Sequence, residues 1–525
     1  MKLLFFQESP MYEALGVHCI SAAVKAAGHD CEVLIESHHR HLYQEIARIN
    51  PQLIAFSIMT RQHEWAIYRI AELKKVFNVP ILIGGTHPTM YPETLGHCEA
   101  DFLCAGEGEI PTVELLNRLE EGGRTDDIPN IHAKVNGEIV KNEIRSLMTS
   151  WDTMPLPDRG VYHRYSFLQQ LPLKRFITSF GCAFRCSFCY INNFREIYSG
   201  KGKFFRRKSV DRALEEIKDT KKRYPLKRIH FVDDIFSLDR PWVEKFLPRL
   251  KREVNIPFSA NIWISHMDES MVRLFKESGC VGLTFGVEAG NQESRLNLID
   301  KNIPDEIYLK HCGYLKKNRI PFHTGNIIGL PGEGLDKAYE TARFNRKIGT
   351  TSARGALFWP FPGTKLTDYA IEHGMLESQY SLEYINSIEF INKGIYPTIR
   401  HKESDQLIVM AHLFQAVAKW RWFEPISRLF LKRPRNPLVK AISKLIDAGF
   451  WYSEAKFFGL LTWSGVKYFI ELRKSLATMR HQGELRQLER VKEDVEAQRA
   501  FWNLSRKDIA AVYSSDERKT RDGLT

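Results

Sequence analysis

The stretch SFGCAFRCSFCY, Ser179–Tyr190, holds three of the chain's nine cysteines within eight residues. Cys182, Cys186 and Cys189 are spaced C-x3-C-x2-C. Three thiolates are one short of the closed tetrahedral set that structural zinc takes, commonly as paired C-x2-C units. There is no second pair, and the nearest histidines, His163 and His230, lie well outside the motif. Zinc or a chance grouping is the plainer reading. The other is a 4Fe–4S cluster held by three cysteines, with one iron left open to a small molecule. The spacing favours the cluster.

The triplet follows the first of six β-rich runs between Arg175 and about Leu366: RFITSF, RIHFVDD, FSANIWI, GLTFGVE, HTGNIIGL and RGALFWPF. Helical patterns fill the gaps, as at Ser209–Tyr224, Asp268–Ser278 and Pro304–Lys317. Six β/α units in one run predict a partial barrel with its chemistry at the carboxyl ends of the strands. Ahead of it, KLLFF, CEVLI, LIAFSI, PILIGG and DFLCAGE alternate with helical patterns such as Met11–Ala27 and Trp65–Phe77. That alternation predicts an open, doubly wound, Rossmann-like parallel sheet with helices on both faces. Ligands in such sheets sit at the carboxyl ends of the strands. Here those ends carry Ser57–Thr60, Gly84–Thr89 and Gly106–Glu109, whose glycines let a backbone approach a bulky ligand. There is no G-x-G-x-x-G after the first strand, which disfavours a dinucleotide. SWDTMPLPDR, Ser150–Arg159, reads as a linker. After about residue 370 the strand signals fade and the pattern is mainly helical. The expected division of this α/β chain is therefore 1–145, 146–174 as linker, 175–370, and 371–525.

The chain has 525 residues and a formal net charge of +12. The remaining cysteines, Cys19, Cys31, Cys98, Cys104, Cys280 and Cys312, are scattered, as expected of a reduced cytosolic protein with one thiolate site. The start, MKLLFFQESP, reads as a first strand rather than a signal peptide. No apolar run is long enough to span a bilayer.

With these residues in place, the sequence resembles the radical S-adenosylmethionine (SAM) superfamily, whose defining motif is C-x3-C-x2-C in this loop. In that family SAM chelates the open iron, and an electron cleaves it to methionine and a 5′-deoxyadenosyl radical. The resemblance implies that Phe188, before the third cysteine, packs near the adenine, and that Tyr190 contacts it. HFVDDIF (His230–Phe236) matches the strand end facing the methionine amino group, with Asp233 and Asp234 as candidates; helix capping or solvation is the plain alternative. Glu288 in GVEAG resembles a SAM-contacting carboxylate. GNIIGLPGE (Gly325–Glu333) resembles the adenine strand, but its glutamate falls one residue late, so the backbone near Ile327 is the better match. FPGTKL (Phe361–Leu366) looks like the family's last-strand turn. The matches run in order over roughly 190 residues.

Residues 1 to about 115 look like the cobalamin-binding domain that precedes such barrels in one large subgroup. This resemblance implies that the nucleotide tail of cobalamin lies near Ser57, Thr60, Gly84 and Gly85. The D-x-H-x-x-G motif that supplies a lower-axial histidine in many cobalamin domains is absent. His18 and His87 read as surface or capping histidines, so no histidine is expected below the cobalt. A degenerate domain that no longer binds cobalamin is the remaining alternative.

Between Lys419 and Arg480 thirteen Lys/Arg face four Asp/Glu, interleaved with Trp420, Trp422, Trp451 and Trp463. A helical core ranks first for these aromatics, membrane or lipid-substrate docking second, and nucleic acid third. The resemblance as a whole implies a cytoplasmic enzyme, peripheral to the inner membrane face if docking is real. It would use a 4Fe–4S cluster, SAM and cobalamin, and draw electrons from a donor such as flavodoxin or ferredoxin. Its reaction would be modification of an unactivated carbon of a small-molecule or lipid-like substrate, first of all by methyl transfer. Ring or C–C bond formation without methyl transfer is the runner-up, and a non-catalytic cobalamin or cluster sensor the alternative from another class.

Overall fold

The computed structural model describes residues 1–9, 13–60, 62–376, 399, 401–457, 462, 464–468 and 470–472, with 450–457 described for their backbone alone. Met1–Tyr468 form one compact unit; Phe469–Thr525 form a second, of which 470–472 are described, as helix. The side chain of Trp451, all of Trp463 and the charged tail lie outside the described residues.

The front sheet is built on β1 (Lys2–Gln7), β2 (Asp30–Ile35), β3 (Leu53–Ser57), β4 (Ile81–Gly84) and β5 (Phe102–Cys104). These strands are parallel, in the order β2-β1-β3-β4-β5. Their near-continuous apolar runs follow from burial on both faces. Leu3 and Phe5 pack on one side, Leu4 and Phe6 on the other. The flanking helices are α1 (Leu15–Ala26), α2 (Leu42–Ile49), α3 (His63–Val76), α4 (Thr86–Met90) and α5 (Glu109–Glu121). The strand order reverses beside β1, which opens a crevice between the carboxyl ends of β1 and β3.

Two features depart from the sequence expectation. An antiparallel hairpin, β6 (Ile131–Val135) and β7 (Glu138–Val140), extends the parallel sheet beyond β5. Its turn is Asn136-Gly137, both at positive φ, the pair whose twist suits a two-residue hairpin. The linker, which includes α6 (Ser166–Gln169), is no loose tether. The Tyr165 hydroxyl accepts from the Ile35 amide at 2.7 Å. Tyr162 accepts from the Ala14 amide at 3.0 Å and donates to Gln7 at 2.7 Å. Asp158 accepts from Ser21 and Lys25, both at 2.7 Å. Val161, Tyr162, Tyr165 and Leu168 belong to the core of the front sheet.

The second sheet is six parallel strands in the order β15-β14-β13-β12-β11-β8. In chain order the elements are β8 (Leu173–Phe176), β9 (Ser179–Phe180), α7 (Ile191–Ile197), β10 (Arg206–Arg207), α8 (Val210–Arg223), β11 (Arg228–Phe231) and α9 (Arg240–Glu253). Then come β12 (Phe258–Asn261), α10 (Glu269–Glu277), β13 (Cys280–Glu288), α11 (Asp305–Lys317), β14 (Phe322–Ile328), α12 (Leu335–Ile348), β15 (Ser352–Leu357) and α13 (Lys365–Glu372). Ser209, Asp239 and Asp268 cap α8, α9 and α10 by accepting backbone N–H bonds. Three further helices follow: α14 (Ser404–Lys419), α15 (Phe423–Leu431) and α16 (Pro437–Phe457). Leu407, Met410, Leu413 and Phe414 of α14 pack with Ile328 of β14, Tyr339 of α12 and Ala353 of β15. The expectation of a core role first for the C-terminal aromatics fails for two of them. Trp420 and Trp422 are exposed, because the buried face of α15 is supplied by Phe423, Ser427 and Leu431.

Glu109 opens α5 with its carboxyl group buried, and burial pushes its pKa up to about 7. A carboxyl group raised in this way carries no penalty below pH 4.5, where folded and unfolded chains are both protonated. The penalty grows as pH rises through 7. Glu109→Gln is therefore expected to stabilise the fold by on the order of 3 kcal/mol at pH 8 and to leave it unchanged near pH 4, read as urea midpoints at the two pH values.

Candidate active site at the carboxyl ends of the barrel strands

The cysteine loop leaves the barrel after β8 and is fixed mainly by main-chain bonds. β9 pairs antiparallel with β10. The Cys189 amide donates to the Cys186 carbonyl at 3.1 Å, and Asn192 caps the same carbonyl at 2.9 Å. Arg195 of α7 donates to the carbonyls of Cys182 and Phe184. Ser187 bonds the chain after β13, its amide to Ile299 at 3.1 Å and its hydroxyl to Leu298 at 2.8 Å. In return the Ser187 carbonyl accepts from Leu366 at 3.1 Å. Phe180 stacks on Trp151 at 3.9 Å and Phe184 on Trp263 at 3.8 Å.

Cys186 is buried and Cys182 and Cys189 are half-buried. Burial pushes the Cys182 thiol up, that of Cys186 to about 11 and that of Cys189 to about 12, and each of the last two is raised further by the neighbouring thiols. Three such groups become thiolates together only with a strong positive charge among them. Among the described residues no three of His, Cys, Asp and Glu converge as the ligands of a single ion would. Three cysteines in one loop match the donor set of a 4Fe–4S cluster with an open iron, whereas structural zinc takes four ligands.

The two aspartates after β11 face opposite ways. Asp233 is fully buried beneath the loop. Its Oδ1 accepts from the Thr178 amide at 3.1 Å, the Thr178 hydroxyl at 2.7 Å and the Ser179 hydroxyl at 2.5 Å, with Arg207 at 3.8 Å. Asp234 reaches solvent, and its charge bears on Cys182, Cys189 and Tyr190. Surrounding protein and the charge of Asp233 raise Asp234 to about 6. Of the two, Asp234 is the one that looks onto the cysteines, whereas Asp233 sets the turn that carries them.

Glu288 ends β13 at φ 66°, a strained value for a side-chain-bearing residue. Its carboxylate folds back to Lys301 at 3.3 Å, across the space that a Cβ on Gly286 would fill, 1.6 Å from Oε1. Lys301 is buried with its ammonium 4.5 Å over the Trp263 ring, and its charge lowers the pKa of Cys182 and Cys186. Nothing in the sequence signalled Lys301. Phe188 and Ile327 come together in one small apolar cluster with Leu330, Phe358 and Leu366. Tyr190 starts α7 with its ring 5.9 Å from Phe361. Glu333 is buried, and burial raises its pKa. His230, bonded to Ser259 at 2.9 Å, and His323 are both lowered by burial to about 4, so they stay uncharged at neutral pH.

At the front sheet, Ser57 is exposed at the end of β3 and Gly84 ends β4. Gly85 has φ 98°, and a Cβ there would lie 2.6 Å from the Ile58 carbonyl oxygen. Thr60 bonds His87 at 3.2 Å. The expected surface or capping role of His18 and His87 is overturned: both are fully buried. His87 lies between Thr60 and Thr94, stacked on His63 at 4.2 Å, and His18 faces the Tyr162 ring edge-on at 5.4 Å.

The same sheet edge docks on the segments around the cysteine loop. Arg206 of β10 bonds Glu107 at 2.6 Å, and the Glu107 amide donates to Tyr198, just past α7, at 3.1 Å. Tyr91 and Asn193 both donate to the Pro362 carbonyl, at 3.2 and 3.3 Å.

Two family models match along the chain, the B12 binding domain over residues 10–116 and the radical SAM superfamily over residues 176–344. The chain carries a B12-binding domain in front of a radical SAM domain. An uncharacterized methyltransferase of Pyrococcus horikoshii is 27% identical over 403 residues, which is 75% of this chain and 84% of that protein. The anaerobic magnesium-protoporphyrin IX monomethyl ester cyclase of Rubrivivax gelatinosus is 24% identical over 371 residues, 66% of this chain and 64% of that one. Among solved structures, the radical SAM methyltransferase TsrM from Kitasatospora setae, with cobalamin and a 4Fe–4S cluster bound, superposes with a TM-score of 0.60 at 17% identity. That superposition covers 71% of this chain and 74% of TsrM, and it is a likeness of fold.

With Glu288 as the SAM-contacting carboxylate that the resemblance implies, a charge-assisted bond to SAM is lost in Glu288→Gln. The dissociation constant for SAM should rise about tenfold or more with the cluster absorbance intact, as measured by equilibrium dialysis.

Proposed function

We propose that this protein is a cobalamin-dependent radical SAM enzyme that modifies an unactivated carbon of a small-molecule or lipid-like substrate by methyl transfer. One arrangement carries the reading. The ligand-binding edge of the front sheet is fastened to the segments that flank the three-cysteine loop, through Glu107 to Arg206 of β10 and to Tyr198 after α7, and to the turn after β15 through Tyr91 and Pro362. In this reading Cys182, Cys186 and Cys189 hold the cluster, Phe188, Tyr190, Asp234, Glu288 and Ile327 surround SAM while Asp233 stays beneath the loop, and Ser57, Thr60, Gly84 and Gly85 line the cobalamin edge. Bound there, the three groups supply one-electron cleavage of SAM and a transferable methyl group. In this reading 1–145 carries cobalamin binding and 175–370 radical generation, with 146–174, packed into the front-sheet core as far as Leu168, between them and 371–525 following.

The chain's own residues prepare the site. Asp233 fixes the turn before the first cysteine. The thiols, raised by burial, release their protons as iron binds. Lys301 pairs with Glu288 and spares it an uncompensated buried charge. Phe184 and Trp263, stacked beside the cysteines, keep water from the place where a radical would form. The likeness to a cyclase supports ring formation as the second reading. A donor such as flavodoxin or ferredoxin, a cytoplasmic setting and peripheral contact with the inner membrane face belong to the same proposal. No described helix is long and apolar enough to cross a membrane.

Anaerobic reconstitution with iron, sulfide and hydroxocobalamin is expected to give the spectra of both cofactors and, once dithionite or reduced flavodoxin supplies electrons, 5′-deoxyadenosine from SAM. The product should gain CH2; a loss of H2 would mean cyclisation, and absent cleavage would mean a sensor. Cys182→Ala, Cys186→Ala and Cys189→Ala should each abolish the cluster absorbance and SAM cleavage, and cleavage that persists in all three would refute the assignment.

A further inference from the structure

Away from the cysteine loop, α12 and α15 flank an open pocket of about 550 Å³ lined by Arg343, Arg346, Arg421, Glu424, Pro425 and Arg428. Three guanidinium groups, those of Arg343, Arg346 and Arg428, stand around the Glu424 carboxylate, and Arg421 adds a fourth to the lining. Glu424 accepts from Arg343 at 3.1 Å and lies 3.6 Å from both Arg346 and Arg428. Arg428 is held by the Tyr339 ring at 4.1 Å. Guanidinium keeps its charge at every physiological pH and forks onto phosphate oxygens, so the pocket retains a surplus of positive charge that one glutamate does not cancel. From Lys419 to Leu445 there are eight Lys/Arg and one Glu.

The exposed arc of α15 carries a second stripe beside this pocket. Trp422, Ile426 and Leu429, spaced i, i+4, i+7, share one face, with Trp422 62% and Leu429 63% exposed. Leu438 and Leu445 of α16 repeat the pattern, 67% and 71% exposed. Large apolar side chains gathered beside arginines on a helix surface are a costly face to leave in water. Tryptophan and leucine next to arginine are what a helix lying in the headgroup layer of an anionic bilayer presents.

We propose that this face docks on an anionic phospholipid surface, with headgroup phosphate in the arginine pocket and Trp422, Ile426 and Leu429 entering the headgroup layer. An electron donor fits the place poorly. α12 starts at the carboxyl end of β14, and Arg343 and Arg346 lie in its later turns, about 12 and 16 Å along the helix from that end. A donor seated here would be on the side remote from the cysteines. The proposal is independent of whether the enzyme methylates or cyclises.

The test is cosedimentation of the reconstituted full chain with vesicles of neutral phosphatidylcholine or of phosphatidylcholine with phosphatidylglycerol. The protein should pellet with the anionic vesicles alone, and less so as salt is raised. Trp422→Ser with Leu429→Ser, and separately Arg421→Gln with Arg428→Gln, should each weaken binding about tenfold or more with the cluster absorbance unchanged. No binding, equal binding to both vesicle types, or binding unaltered in both variants would overturn the proposal. So would light scattering in which the Trp422/Leu429 variant turns a dimer into a monomer, since the face would then belong to a second copy.

Discussion

The carboxylate of Asp233 is a charge buried without access to water, and the site is organised around it. Three hydrogen bonds from Thr178 and Ser179 and the nearby Arg207 guanidinium hold its Oδ1, while Oδ2 is buried without a hydrogen-bond partner. A buried charge with that many partners has one favourable arrangement, and losing any partner leaves a desolvated ion behind. The bonds tie the end of β11 to the turn between β8 and β9, so the direction in which the chain enters the cysteine loop is set before the loop begins. Arg207 lies on the strand that pairs with β9, and its neighbour Arg206 reaches Glu107 of the front sheet. The same short hairpin thus joins a buried charge in the barrel to the other sheet.

The loop itself needs little from its own side chains. Its carbonyls and amides bond to Asn192, Arg195, Ile299 and Leu366, and two aromatic stacks brace it at Phe180 and Phe184. The cysteines are left to bind metal. Glu288 and Lys301 come from either end of the segment after β13. The buried Arg295 between them donates to Ala289 at 2.7 Å and pairs with Asp305. Such a site is rigid because each reactive side chain stands on backbone that other elements hold.

Much of this was legible because it rests on period and punctuation. Strand and helix alternation set both sheets, and Ser209 and Asp268 marked helix starts as capping residues do. The β6–β7 hairpin was legible too, in Asn136-Gly137 between two short apolar runs, but the parallel pattern ahead of it masked the signal. Other features had no local mark. Lys301 meets Glu288 only because the segment after β13 doubles back. His18 and His87 look like surface histidines until the linker and α3 close over them. Asp233 and Asp234 are adjacent and chemically identical, and only the tertiary fold sends one under the loop and the other toward the cysteines. The exposed tryptophans differ again: an aromatic residue on a basic helix looks the same in sequence whether it faces the core or the solvent.

The linker bears on where this protein can be cut. Tyr162 and Tyr165 complete the core of the front sheet, and Asp158 holds α1, so a fragment ending at residue 145 would lose side chains that its own interior requires. The physical border of the front module falls after Leu168. Shuffling this module onto another barrel would have to move the segment from Trp151 to Leu168 with it, so that segment is inherited as part of the module it appears to follow.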